Sequence, residues 1–277
     1  MTGGLLRIRA LGVAVAIVAG SHQPIARAQN PTANAPRTLM TLDVDASDAP
    51  MKILHATVAM PAKVGAMTLF YPKWIPGEHM ASGPIANLTG LHIFADAREL
   101  DWRRDLVEVN AFAITVPPGA LTLTAKYDYV VPTGGGAFGS TASTNAKIAV
   151  INWYTVGLYP MGENPAAITV TATLKAPAGW KHGGSLDIAA VDGNIIRYAP
   201  TSVETLNDHP VLLGEHFRSI TLWPAESTVG EHVIDVVADS EWALQSRKRA
   251  SRSTNGSSSR NVPSLEGSAT TGNTTGS

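Results

Sequence analysis

The stretch Leu121-Thr122-Leu123-Thr124-Ala125 alternates apolar and polar side chains with a period of two residues. Ile168-Thr169-Val170-Thr171-Ala172 repeats the same pattern. Because successive side chains of a β-strand point to opposite faces of its sheet, one face of each segment is apolar and the other carries threonines. Strands of this kind belong to antiparallel sheets with one face on a core and one face in water. Both segments therefore predict a β protein.

Similar runs continue in both directions between Thr38 and Gln245, separated by turn sequences such as Pro117-Pro118-Gly119. The clearest runs are Leu39–Asp45, Ile53–Met60, Met67–Trp74, Val107–Val116, Leu121–Val131, Ile148–Tyr154, Ile168–Leu174, Ile195–Tyr198, Phe217–Trp223 and Val233–Ala238. A helical apolar pattern occurs only weakly, around Pro200–Asn207. We therefore predict an all-β fold, a large antiparallel two-sheet sandwich with at most one short helix.

The composition excludes several classes of site. The chain has 277 residues, no cysteine and a formal net charge of −1. Without cysteine it cannot be a disulfide scaffold, a zinc finger, an iron–sulfur protein or a thiol enzyme. The near-neutral charge argues against a nucleic-acid partner. Residues 1–28 carry +3 and residues 246–277 carry +4, so the remaining residues carry −8.

The basic N-terminal segment has the order of a secretory signal peptide. Arg7 and Arg9 precede the apolar run Ala10–Gly20, and Ala26-Arg27-Ala28 fits the small-x-small cleavage rule. We predict a signal peptide at 1–28 and a spacer at 29–37. No later stretch is long and apolar enough to span a bilayer, so we expect a periplasmic or secreted protein without membrane contact after signal removal.

The C-terminal segment has a different composition from the rest. Ser, Thr, Gly and Asn supply 21 of its 32 residues from Ser246 onward, and it contains no aromatic residue. Such a segment buries too little apolar surface to offset the entropy of ordering. We predict a β domain at 38–245 and a disordered tail at 246–277, with Arg247-Lys248-Arg249 as an alternative basic interaction patch. The abrupt change at Ser246 suggests a truncated or frameshifted reading frame.

Metal and nucleophile patterns are weak. The pairs Glu78-His79, Glu215-His216 and Glu231-His232 cannot chelate one ion from a strand, because adjacent side chains point to opposite faces. The acids Asp43, Asp45 and Asp48 lack the glycine that a calcium loop needs at its sixth position. We predict no catalytic residue, no metal ligand and no cofactor. The Gly/Ser/Thr-rich loop at 132–146 is expected to be a flexible rim loop.

The most distinctive segment is Tyr71–His79, of sequence Tyr-Pro-Lys-Trp-Ile-Pro-Gly-Glu-His. Its two prolines, with a glycine directly after the second, predict a tight, stiff turn at a strand end. We name Trp74, Gly77, Glu78 and His79 as candidate binding or cleft-shaping residues. The structural alternative is a core tryptophan at one end of the sandwich beside a Pro-Gly turn.

The segment Tyr71–Gly77 resembles a Tyr-x-Pro-x-Trp-x-Pro-Gly-Ser-Tyr-like segment of the glycyl aminopeptidase family, which are zinc metallopeptidases of the gluzincin class that often carry a PDZ domain. Glu78-His79 stands where Ser-Tyr is more usual. Two later segments, Leu100–Asp105 and Val203–Gly214, also resemble parts of that family's N-terminal β domain. The resemblance covers residues 40–245 and implies the fold and export of that domain.

The resemblance does not extend to catalysis. The family's catalytic domain follows this region and supplies a His-Glu-x-x-His zinc helix, whereas this sequence contains no His-Glu dipeptide. We therefore expect a non-catalytic domain that packs against a peptidase domain, binds a peptide ligand or self-associates. The alternative is a stand-alone secreted module that binds glycans or peptides through Trp74 or Trp153-Tyr154 with the loop at 132–146. A third reading is an enzyme that uses cross-strand carboxylates or histidines.

Overall fold

The computed structural model describes residues 38–133, 142–224, 226 and 231–245, in which β-strands predominate. The predicted signal peptide (1–28), spacer (29–37) and tail (246–277) lie outside the described residues. So do residues 134–141 of the loop at 132–146. The domain boundaries drawn from the sequence therefore stay predictions.

The described residues contain nineteen strands. They are β1 (Leu39–Asp45), β2 (Ile53–Pro61), β3 (Gly65–Phe70), β4 (Leu88–Ala95), β5 (Arg98–Leu100), β6 (Trp102–Arg104), β7 (Ala111–Val116), β8 (Thr122–Val130), β9 (Ser143–Thr144), β10 (Ile148–Ile151), β11 (Tyr159–Pro160), β12 (Thr169–Lys175), β13 (Lys181–Gly183), β14 (Ile188–Asp192), β15 (Ile195–Tyr198), β16 (Thr201–Ser202), β17 (Val211–Gly214), β18 (His216–Trp223) and β19 (His232–Ala238). The helices are α1 (Val203–Asn207), four 3-10 turns (Ala49–Met51, Ile85–Asn87, Trp153–Thr155 and Pro165–Ala167) and a helical turn at 241–245.

Nine strands form the large sheet, in the order β14-β15-β12-β1-β2-β8-β4-β5 with β16 beside β12. β1 and β12 are parallel, with Leu39 opposite Thr169 at one end and Asp45 opposite Lys175 at the other. The other neighbours in this sheet are antiparallel. Buried side chains alternate with more exposed ones along β1, β2, β8 and β12. The large sheet therefore turns one face to the core.

Two small sheets complete the core. The first small sheet has the order β11-β3-β7-β6 and the second has the order β13-β17-β10-β9. One cluster of buried side chains joins Leu54 and Leu174 of the large sheet with Leu69 and Phe112 of the first small sheet and Ile151 of the second. Full burial of each such side chain contributes about 1.5–3 kcal/mol. A single core thus holds the three sheets together.

The all-β prediction is confirmed, with differences in detail. Opposite the large sheet the strands form two small sheets instead of one, and the pairing of β1 with β12 is parallel. The strand predicted at Met67–Trp74 ends before Pro72, which has no N–H to donate to a ladder. The weak helical signal at Pro200–Asn207 corresponds to α1, where the Ser202 side chain accepts a hydrogen bond from the Thr205 N–H. The helical turn at 241–245 was not expected.

His55 on β2 lies between two carboxylates on the side of the large sheet that faces away from the core. Its Nδ1 is 2.7 Å from Asp128 Oδ1 on β8, and its Nε2 is 3.1 Å from Asp48 Oδ2. Partial burial disfavours the charged ring, but the hydrogen bonds and charges of Asp128 and Asp48 outweigh burial and raise the pKa of His55. The charged ring therefore links Asp48, in the turn before β2, to Asp128 on β8.

The raised pKa of His55 predicts a pH-dependent contribution to stability. A histidine whose pKa is higher in the folded chain stabilises below its unfolded pKa, and this stabilisation is lost as pH rises through the folded pKa. His55→Gln should therefore lower the free energy of unfolding more at about pH 5.5 than at about pH 8.5, by about 1 kcal/mol at most because both partners are partly exposed. Urea unfolding at both pH values measures this, with Asp128→Asn as the matched variant. Equal losses at both pH values would contradict the interpretation.

Candidate binding site at Trp74

Tyr71 fixes the start of the segment that follows β3. Its side chain is fully buried, and its hydroxyl donates a hydrogen bond to the Thr155 carbonyl oxygen at 2.9 Å. The Tyr71 N–H donates to the Asn110 carbonyl oxygen at 2.9 Å, and Asn110 Nδ2 donates to the Tyr71 carbonyl oxygen at 3.2 Å. Burial raises the pKa of Tyr71, so its hydroxyl stays protonated and remains a donor. The chain thus leaves β3 from a rigid point.

A close backbone crossing at Gly83 holds the two ends of the next loop together. The Gly83 N–H donates to the Lys73 carbonyl oxygen at 3.0 Å. A Cβ at Gly83 would overlap the carbonyl oxygen of Pro72, so the crossing requires glycine. Lys73 is also held by its side chain, whose Nζ lies 2.6 Å from Glu108 Oε2. The loop between residues 73 and 83 is therefore closed at its base.

The predicted Pro-Gly turn is present inside this loop. The Glu78 N–H donates to the Ile75 carbonyl oxygen at 3.1 Å, with Pro76 and Gly77 as the central residues. Gly77 has a φ of 79°, a left-handed conformation that the third residue of a type II turn requires. Ile75 is only 4% exposed and anchors the turn in the protein. Its neighbour Trp74 is 66% exposed.

A surface groove of about 560 Å³ lies beside Trp74. Its lining combines apolar surface from Trp74, Pro76 and Pro165 with the carboxylates of Glu204 and Asp208 on and just after α1. Glu204 and Asp208 are four residues apart, which places them on one side of the helical turn. The sequence carried no signal that would bring α1 beside Trp74, because these residues meet only in the folded chain.

Glu78 lies within electrostatic range of Tyr154. Burial, followed by the negative charge of Glu78, raises the pKa of Tyr154 to about 12. Burial and then Tyr154 raise the pKa of Tyr129, whose hydroxyl is buried and has no hydrogen-bond partner in the part of the chain that the structure describes. Both hydroxyls therefore stay protonated at neutral pH. They can donate hydrogen bonds but cannot serve as bases.

The structure places the four candidate site residues in different surroundings. Trp74 and Gly77 line the groove, whereas Glu78 and His79 are not among its lining residues. Glu78 is partly buried and lies near Tyr154, and His79 is exposed. A binding or cleft-shaping role for any of the four residues stays a prediction.

The second aromatic pair named from the sequence, Trp153-Tyr154, is buried. Trp153 is completely buried and packs edge-on against the ring of Tyr198, with ring centroids 5.4 Å apart. Tyr154 is only 6% exposed. Trp153-Tyr154 therefore does not form a binding platform. Within residues 38–133, 142–224, 226 and 231–245, no group of three or more His, Cys, Asp or Glu side chains could hold a metal ion.

The family comparison is decisive. The model of the Peptidase M61 N-terminal domain matches residues 41–215, which include the turn at Trp74 and α1. The chain belongs to this family. The expected relation to the N-terminal domain of a zinc metallopeptidase family is thereby confirmed, and the match ends one residue before β18 begins.

One solved structure agrees at the level of fold. An aminopeptidase N family protein from Idiomarina loihiensis matches with a TM-score of 0.60 and 15% identity, over 76% of this chain and 35% of that chain. LTA4 hydrolase from yeast matches with a TM-score of 0.43 and 13% identity, over 68% of this chain and 30% of that chain. This chain thus spans about a third of the length of each. No curated protein matches the chain. No helix in the described residues is long and apolar enough to cross a membrane.

Replacing Trp153 and replacing Trp74 should change the free energy of unfolding by very different amounts. Trp153→Ala removes a completely buried side chain and should lower the free energy of unfolding by about 3–5 kcal/mol. Trp74→Ala removes a mostly exposed side chain and should change it by about 0.5 kcal/mol or less. Urea unfolding followed by circular dichroism measures both values. A large loss in Trp74→Ala would show that Trp74 is a structural residue and not a surface available to a ligand.

Proposed function

We propose that this chain is the non-catalytic N-terminal β-sandwich domain of an exported glycyl-aminopeptidase-like metallopeptidase, and that its 277 residues hold no zinc site of their own. The observation that carries the proposal is the family match over residues 41–215. Export is supported by the signal-like order of residues 1–28, which favours a periplasmic or secreted protein.

The arrangement of acids and histidines supports a non-catalytic role. A catalytic zinc needs three protein ligands and an open position for water or substrate. One group of a histidine and two carboxylates lies at His216, whose ring nitrogens are 3.8 Å from Glu215 Oε1 and 3.9 Å from Glu241 Oε2. Lys147 Nζ lies 3.5 Å from both Glu215 and His216, so a cation already fills this place. A second cation would be repelled there.

The turn at Trp74 supports a role in shaping a substrate cleft. Its base is closed by Gly83 and its inner side is anchored by Ile75, so Trp74 is presented at a fixed position. A wall of a binding cleft must hold its position while a ligand exchanges, and a rigid turn meets this need. We propose that Trp74 and the groove beside it border the cleft of the peptidase.

The absence of catalysis is directly testable with the full chain. Purified protein should release no nitroaniline from glycine p-nitroanilide above the rate without protein, with or without added zinc. Elemental analysis after dialysis against zinc should find less than one zinc per chain. Zinc-dependent cleavage that a chelator removes, and that His216→Ala loses, would overturn the proposal.

A second candidate function, a stand-alone peptide-binding module, is favoured by the exposure of Trp74 beside a groove whose lining includes three prolines. Exposed tryptophans beside grooves are typical contacts for extended proline-rich peptides. An octaproline peptide added to the full chain should then shift the tryptophan emission, and Trp74→Ala should abolish the shift. Trp242→Ala is the matched control, because Trp242 is 76% exposed and does not line the groove. An unchanged emission in the unaltered chain would exclude this peptide class.

A further inference from the structure

The groove beside Trp74 is lined by aromatic, apolar and acidic side chains. Trp74 and Tyr159 supply aromatic rings, and three prolines supply apolar surface. Glu204 and Asp208 supply carboxylates. Among the described residues, no lysine, arginine or histidine lines the groove. Its lining therefore contains negative charge without a positive charge to balance it.

The segment that carries the two carboxylates is anchored to the core. Glu204 lies on α1, whose residues Val203 and Leu206 are buried in the hydrophobic core. Asp208 directly follows α1, and its N–H donates to the Thr205 carbonyl oxygen at 3.1 Å. Both carboxylates are therefore attached to backbone that keeps its place beside the groove.

The described chain supplies no cation to these carboxylates. Neither Glu204 nor Asp208 forms an ion pair with another residue in the part of the chain that the structure describes. Lys73, which adjoins Trp74, is held by Glu108 instead, with Nζ 2.6 Å from Oε2. Like charges four residues apart on a helical turn repel each other. A bound cation would relieve this repulsion.

The aromatic surface of the groove favours the same charge. The face of an aromatic ring attracts an ammonium or guanidinium group, and tryptophan attracts it most strongly. Trp74 is 66% exposed and belongs to a loop that is closed at its base by the crossing at Gly83. The ring of Trp74 and the carboxylates of Glu204 and Asp208 therefore attract a cation by two different interactions.

The apolar part of the lining favours a cation on an aliphatic stem over a metal ion. Calcium and magnesium bind to oxygen ligands and gain nothing from apolar surface. An arginine or lysine side chain lays its aliphatic stem along apolar surface while its charged end reaches a polar partner. Arginine also stacks on aromatic rings and can donate two parallel hydrogen bonds to one carboxylate. The groove volume of about 560 Å³ lies within the usual range of ligand sites.

We propose that the groove beside Trp74 binds a basic side chain, arginine or lysine, of an extended peptide. The stem of that side chain lies along the prolines, and its charged end contacts the ring of Trp74 and donates hydrogen bonds to Glu204 and Asp208. The inference rests on the binding role proposed for this groove and adds the chemical class of the ligand. Arginine and lysine share the required chemistry, and the experiment compares them.

NMR titration of the full chain with small peptides tests the proposal. The signal followed is the indole N–H of Trp74, which is identified by its loss in Trp74→Phe. The peptide acetyl-Ala-Arg-Ala-amide, whose blocked ends carry no charge, should shift this signal, and the corresponding lysine peptide should shift it too. The same peptide with neutral citrulline in place of arginine should bind about tenfold more weakly. Glycinamide, which has an α-ammonium group but no stem, should bind more weakly than the arginine peptide.

Charge-removing variants locate the interaction in the groove. Glu204→Gln combined with Asp208→Asn should weaken binding of the arginine peptide about tenfold. The matched control is Asp187→Asn combined with Asp192→Asn, which removes two exposed charges outside the groove lining and should leave binding unchanged. Circular dichroism shows whether each double variant is folded.

Three results would overturn the inference. They are equal binding of the arginine and citrulline peptides, no binding of the arginine peptide, and glycinamide binding as tight as that of the arginine peptide. Full affinity in a folded variant without the charges of Glu204 and Asp208 would contradict it as well. The proposed function fails on a different result, zinc-dependent cleavage, so the two failures can be told apart.

Discussion

The parallel pairing of β1 with β12 is the constraint on which the rest of the structure depends. These strands lie side by side over seven residues, although more than a hundred residues separate them in sequence. At their end the Ala46 N–H donates to the Lys175 carbonyl oxygen at 2.8 Å, and Lys175 Nζ lies 2.9 Å from Asp45 Oδ2. Both small-sheet strands β3 and β7 and the turn at Trp74 fold within the loop that this pairing closes. Closing so long a loop costs entropy before its contacts form, so this topology should fold slowly.

The pairing of β1 with β12 also fixes the position of one side of the candidate site. β12 also pairs with β16, and α1 follows β16 directly, so Glu204 is positioned by the large sheet. Trp74 is positioned by the first small sheet through Tyr71. The groove therefore lies where two separately anchored pieces of chain meet. Its shape depends on the packing of the whole core and not on the local sequence of either piece.

Local sequence patterns predicted the strands that have one buried face and one exposed face along their whole length. The alternating segments became β8 and β12, and the Pro-Gly turn formed as expected around Gly77. β4 escaped prediction because its register shifts between Thr89 and His92, next to Gly90 with a φ of 61°, which interrupts the alternation. The division of the smaller layer into two sheets, and the place of Glu204 beside Trp74, depend on contacts between distant segments. No local period encodes such contacts.

The close contacts at Gly183 and Gly214 have a mechanical consequence. Asp235 and Val237 of β19 approach these two glycines so closely that even one added methyl group would push the β18–β19 pair outward. The direction in which β19 leaves the sandwich is therefore set by two contacts that have no slack. The two glycines therefore set the angle between β19 and the second small sheet, and any strand that pairs with β19 must follow that angle.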